Sequence, residues 1–217
     1  MIDILRYGNT VDLIFYFISS AIVVFLSLPV HEMAHAFTAY KLGDNSQKYA
    51  GRLTLNPFAH LDPIGSLLIL LFGFGWAKPV QVNSFNFKKP KRDMAVTAFA
   101  GPVSNIILAF LFYIIYKIAA PFLLDSKIIE YLLLICRYVV QINISLAVFN
   151  LIPIPPLDGS KLLFAFLSDR NYYKLMQYER YFYGLLILLL FVGALDTPLY
   201  FLRNLILRLF ELLTFWI

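Results

Sequence analysis

Long apolar runs broken by short polar ones dominate the chain. Val11 to about Leu42, Met94–Ala120 and about Tyr131–Ile152 each exceed the length of about 20 apolar residues that a helix needs to cross a bilayer. Ile64–Ala77 is apolar but too short to cross comfortably, and Gly73 and Gly75 interrupt it, so it reads as a re-entrant segment or a short tilted helix. Tyr181–Leu195 reaches spanning length if its helix starts near Lys174. The last run, Leu199–Ile217, carries Asn204, Arg208 and Glu211 at i, i+4 and i+7, a polar stripe suited to an interfacial helix or one packed against a bundle. No internal repeat, low-complexity tract or soluble-domain linker separates these runs. The pattern predicts an all-α polytopic membrane protein: one integral-membrane domain over 1–217, with a core at about 11–168 and C-terminal helices at about 172–217.

Composition agrees. Of 217 residues 60% are hydrophobic and only 14% charged, where soluble domains carry roughly a quarter, and mean hydropathy is +0.74. The N-terminus lacks a basic region and a small-residue cleavage site, so no cleavable signal peptide is expected. The single Cys136 excludes an intrachain disulfide and a thiolate metal cluster and reads as an inert buried thiol. A net charge of +5 needs no nucleic acid, since no polar basic face accompanies it.

The distribution of that charge orients the chain. If Ile64–Ala77 does not change sides, Lys41, Lys48, Arg52, Lys78, Lys88, Lys89, Lys91, Arg92, Lys161, Arg170, Lys174 and Arg180 share one side. Only Arg6, Lys117, Lys127 and Arg137 oppose them. The positive-inside rule makes the first side cytoplasmic. A crossing at 64–77 would divide the basic loops, so the pattern favours a re-entrant segment.

Within the first run lies His31-Glu32-Met33-Ala34-His35. Two imidazoles four apart on a helix project from one face, close enough to share Zn²⁺, with a carboxylate beside them. Ionisable groups in a membrane helix are costly without partners or a function. A catalytic zinc has three protein ligands and one open position. His60 is the only other histidine, so the third ligand can be a carboxylate. Asp158, closing Asn150-Leu151-Ile152-Pro153-Ile154-Pro155-Pro156-Leu157-Asp158-Gly159, stands out. Parity brings the ends of the first helix and of the helix ending near Ile152 to one depth, which lets Asp158 meet His31 and His35. The prolines forbid regular helix, and irregular backbone at membrane depth belongs beside a cavity.

These residues carry a family resemblance. HEMAH in an early helix, Ala100-Gly101-Pro102-Val103-Ser104-Asn105 in another and NLIPIPPLDG ending a third resemble the site-2 protease family of intramembrane zinc metalloproteases, peptidase family M50. Gly51-Arg52-Leu53-Thr54-Leu55-Asn56-Pro57, His60-Leu61-Asp62-Pro63 and Trp76-Ala77-Lys78-Pro79-Val80 look like its compact prokaryotic branch without a PDZ domain. The resemblance implies a three-helix catalytic core with flanking membrane helices, one Zn²⁺ per chain held by His31, His35 and Asp158, and Glu32 as the catalytic carboxylate. It matches Asn150 to a substrate or oxyanion residue and Asn105 to the Gly-Pro-x-x-Asn element. It suggests a small re-entrant β-hairpin-like segment from Arg52–Leu55 and Val80–Val82, and a transmembrane segment of another protein as substrate.

The residues also admit plainer roles. Asn150 can satisfy freed backbone at a helix C-terminus, Asn105 can serve helix packing beside Gly101 and Ser104, and His60 can hydrogen-bond a loop rather than stand near the metal. Asp62 before Pro63 reads as a helix N-cap. The leading reading is an intramembrane zinc endopeptidase of the cell membrane, multi-pass, its active site toward the cytoplasm, its partners a substrate helix and the lipid bilayer. Its rivals are a non-proteolytic metal-binding scaffold, and a membrane-anchored zincin of another family whose downstream Glu ligand would be Glu130 or Glu179.

Overall fold

A computed structural model describes residues 10–72 and 75–217. The expectations resting on Arg6 and Gly73 lie outside them. In chain order the helices are α1 (Thr10–Lys41), α2 (Ser46–Tyr49), α3 (Pro63–Phe72), α4 (Pro90–Ala119), α5 (Lys127–Asn150), α6 (Asp158–Leu162), α7 (Asp169–Met176), α8 (Glu179–Phe191) and α9 (Asp196–Leu213). Within α1 the stretch Val23–Ser27 is wound as a π-helical turn.

Among the described residues three helices are long and apolar enough to cross a membrane: α1, α4 with its 3₁₀ extension to Phe122, and α5. They pack on one another, α4 along both α1 and α5, and α1 along α5. The inner faces meet at Tyr16, Val23, Val24, Leu28, Tyr138, Val139, Ile142 and Leu146. Outward, α4 exposes Ile107, Leu111, Ile115 and Ile118, a stripe at helical spacing that only an apolar surrounding would tolerate. The three-helix core is as the resemblance implied.

α3 is the short apolar helix of the 64–77 stretch. Asp62 caps it, its Oδ1 accepting from Gly65 N–H at 2.8 Å. Ten residues rise only about 15 Å, half a bilayer core. The chain then returns to where it left: a Cβ at Gly65 would strike the Trp76 carbonyl, one at Gly75 the Gly65 carbonyl, and Lys78 N–H donates to His60 O at 2.7 Å.

Two expectations need correction. No strand forms among the described residues, so the β-hairpin-like segment is not present. Side chains occupy the backbone groups a ladder would need: Arg52 Nη1 donates to Ala59 O at 2.6 Å and Lys78 O at 3.3 Å, Val80 N–H goes to Glu32, and Gln81 O accepts from Gln47 Nε2 at 2.8 Å. The span from Lys174 to Leu195 is not one helix either. α7 stops at Met176, α8 has 13 residues, and Gly193 at φ +71° turns the chain so that α8 and α9 are bent by 80°. The pair is a broken span or a re-entrant loop, giving three to four candidate spans. α9 packs against the bundle through Phe210, which meets Ala109, Val140, Ile144 and Val148.

Candidate metal centre

α1 delivers His31 and His35 one turn apart into the seam with α4, both buried. α5 ends at Asn150, and turns through Ile154 and Leu157 bring the chain back so that α6 opens on Asp158. That return needs glycine: a Cβ at Gly159 would run into the Leu151 carbonyl and lie 2.5 Å from the Ile152 carbonyl oxygen.

Three ligand atoms meet there. His35 Nε2 lies 3.0 Å from Asp158 Oδ2 and 3.1 Å from His31 Nε2, and His31 Nε2 lies 3.3 Å from the same oxygen. The His35 Nδ1 faces Thr97 O at 2.7 Å, which assigns the proton to Nδ1 and leaves the Nε2 lone pair pointing inward. Buried lone pairs converging on one point repel unless a cation joins them. Tetrahedral zinc with ligands at about 2.0–2.1 Å sets edges of roughly 3.3 Å, close to those observed. The donor set therefore fits Zn²⁺, with His31, His35 and Asp158 as the buried metal-binding group.

α4 closes the far wall with backbone. A Cβ at Gly101 would strike His35 Nε2 and lie 2.6 Å from the His31 ring, so the place a methyl would take is the place the histidines use. Lys161, one turn after Asp158, donates from Nζ to Oδ1 at 3.0 Å, and only Oδ2 faces the imidazoles. Burial would raise the Asp158 carboxyl, and the Lys161 ammonium bonded to it pulls it the other way. Glu32 is buried beside the group, its Oε2 accepting from Val80 N–H at 3.1 Å. The chain returning from α3 thus holds the carboxylate that sits next to the ligands.

The other expected residues divide. His60 is fully buried but donates from Nε2 to Thr54 O at 2.8 Å, a loop tie, and is no member of the metal group. Asn150 donates one N–H of its amide to Leu146 O at 2.9 Å, a turn back on its own helix. Asn105, one turn beyond Gly101, is 0% exposed, and neither amide atom has a hydrogen-bond partner. Sequence reasoning missed Lys161, Thr97 and Val80. The first has a signal, a lysine at i+3 from the ligand; the others act through backbone atoms that carry none.

Peptidase family M50 matches the chain over residues 19–132 and 118–192. A curated relative, "Putative zinc metalloprotease YwhC" of Bacillus subtilis, is 40% identical over 181 residues, 81% of this chain and 81% of the relative. "Putative zinc metalloprotease MJ0611" of Methanocaldococcus jannaschii is 33% identical over 153 residues, 69% of this chain and 71% of the relative. "Putative zinc metalloprotease Rip2" of Mycobacterium tuberculosis is 34% identical over 140 residues, 62% of this chain and 51% of the relative. No solved structure matches the chain.

Proposed function

The chain belongs to peptidase family M50, and we propose that this zinc metalloprotease is an intramembrane endopeptidase that cuts peptide bonds in or near transmembrane segments of other membrane proteins. The observation that carries the proposal is the buried His31–His35–Asp158 group, set among candidate membrane spans and flanked by Glu32. Zinc, when bound there, would lower the pKa of a water to about 7 and polarise the scissile carbonyl.

The chain's own residues do the rest. Glu32 takes the proton of the attacking water and returns it to the leaving amine. Val80 N–H fixes one Glu32 oxygen and leaves the other to meet that water. The second Asn150 N–H is available to the developing oxyanion, and Asn105 supplies an unpaired amide along the substrate path. A helical substrate is unreactive while its carbonyls are bonded within the helix. The peptide would therefore have to unwind before one of its carbonyls meets the site.

The single domain crosses the cell membrane several times, with the site toward the cytoplasm; the Lys and Arg distribution supports this orientation. The stoichiometry is one zinc per chain. Zinc content and cleavage of a reporter transmembrane substrate test the proposal, with Glu32→Gln expected to keep its zinc and lose about 10²–10⁴-fold in rate. Zinc retained by wild type without cleavage across a substrate panel would instead favour a metal-binding scaffold.

A further inference from the structure

We propose that a cavity between the C-terminal end of α1 and the N-terminal end of α4 binds the headgroup of an anionic phospholipid. Its volume is about 330 Å³, and Lys41, Lys88, Lys89, Arg92 and Asp93 line it. Four cations thus surround one carboxylate, and that carboxylate is already engaged. Arg92 Nε lies 3.2 Å from Asp93 Oδ1, and Lys89 N–H donates to Asp93 Oδ2 at 3.0 Å. Lys41, Lys88 and Lys89 have no ion-pair partner among the described residues. Like charges gathered around a cavity repel, and an anion between them relieves the repulsion.

Position selects the anion. Lys41 ends one candidate span and Pro90 begins another, so the cavity lies at the level where lipid headgroups meet water. Further into the span on each helix the same faces turn apolar and stay exposed. Phe37 is one turn before Lys41, whose Nζ sits 5.3 Å from the Phe37 ring centroid. Val96 and Phe99 follow Arg92 at i+4 and i+7, and all three apolar side chains are 45–47% exposed. Cations above and uncovered apolar groups below match an amphiphile, with a phosphate in the cavity and acyl chains along the helices. A free anion would have no use for the lower part. The proposal rests on α1 and α4 crossing the bilayer and is independent of the peptidase reaction.

The test is lipid retention by the purified full-length protein in detergent, read by native mass spectrometry and by thermal unfolding. One phosphatidylglycerol per chain is expected to be retained in preference to phosphatidylcholine. The Lys88→Gln/Lys89→Gln/Arg92→Gln variant is expected to bind it about a hundredfold more weakly, at about fivefold per cation removed. Arg92→Gln alone, at a side chain 64% exposed, gives about the single step if the triple variant unfolds. Lys117→Gln/Lys127→Gln, at the other end of the bundle, should bind as wild type. Equal retention by the triple variant, or of phosphatidylcholine, overturns the proposal. Equal stabilisation by inorganic phosphate makes the cavity a free-anion site and overturns it too, as does tighter retention of an acidic peptide than of the lipid.

Discussion

The metal-bearing seam and the C-terminal helix pair treat burial in opposite ways. Where α1, α4 and α6 meet, His31, Glu32, His35 and Asp158 are all buried, and each is tied to something. In α8 and α9 the buried side chains are Leu186 and Phe210, while Phe191 is 90% exposed and the helices bend by 80° at Gly193. The first region buries polarity because each polar group has a partner, and its geometry is over-determined. The second leaves apolar side chains exposed and joins the bundle through Phe210. A membrane protein can therefore place its chemistry by hydrogen bonds and close backbone approach and leave the rest to the solvent.

The sharpest way to break the comparison is Gly101→Ala. The added methyl collides with both imidazoles, so zinc content is expected to fall to background with every ligand and Glu32 intact. Full zinc occupancy in that variant would show the seam to be looser than described. Next is Lys161→Met, which frees the second Asp158 oxygen. Zinc affinity is expected to fall about 10–100-fold, measured by competition with a chelator, with Lys161→Arg restoring most of it. On the other side, Phe210→Ala removes the anchor of α9 and should lower stability in detergent by at most about 3 kcal/mol while leaving zinc content unchanged. A loss of zinc there would mean that the two regions are coupled.

The smallest effect concerns Asp44, just beyond α1. Burial alone would raise its pKa, but hydrogen bonds involving Ser46, Asn83, Asn86 and Gln47 lower it to about 2. A folded pKa below the unfolded one stabilises fully above about pH 4 and loses that contribution as pH falls through the folded value. Asp44→Asn should therefore unfold at lower temperature than wild type at pH 5–7, and the gap should close toward pH 2.

Much of the seam was legible in the sequence. HEMAH set two ligands on one helix face with a carboxylate beside them, and helix parity with basic loops led to Asp158, 123 positions further along the chain. That α3 is shorter than a span followed from the length of its apolar run. The contacts that complete the site were not, because Thr97 and Val80 contribute backbone atoms, which every residue has, and Gly101 contributes the absence of one. The expected hairpin failed because β-prone runs such as Val80–Val82 carry no record that Glu32 and Gln47 claim their backbone groups. The helix start near Lys174 failed because the break between Met176 and Glu179 carries no glycine or proline to mark it.

The π-helical turn at Val23–Ser27 holds one residue more than an α-turn would over the same rise. It sits between the part of α1 seated against α5 and the part that carries the histidines. Deleting a single residue there would restore regular winding and keep the bearing of His31 and His35, whereas a deletion in the regular helix between Leu28 and His31 would swing them by about 100° around the axis, away from Asp158. The wide turn is thus a reserve of length: it takes up one residue while the ligands keep their aim.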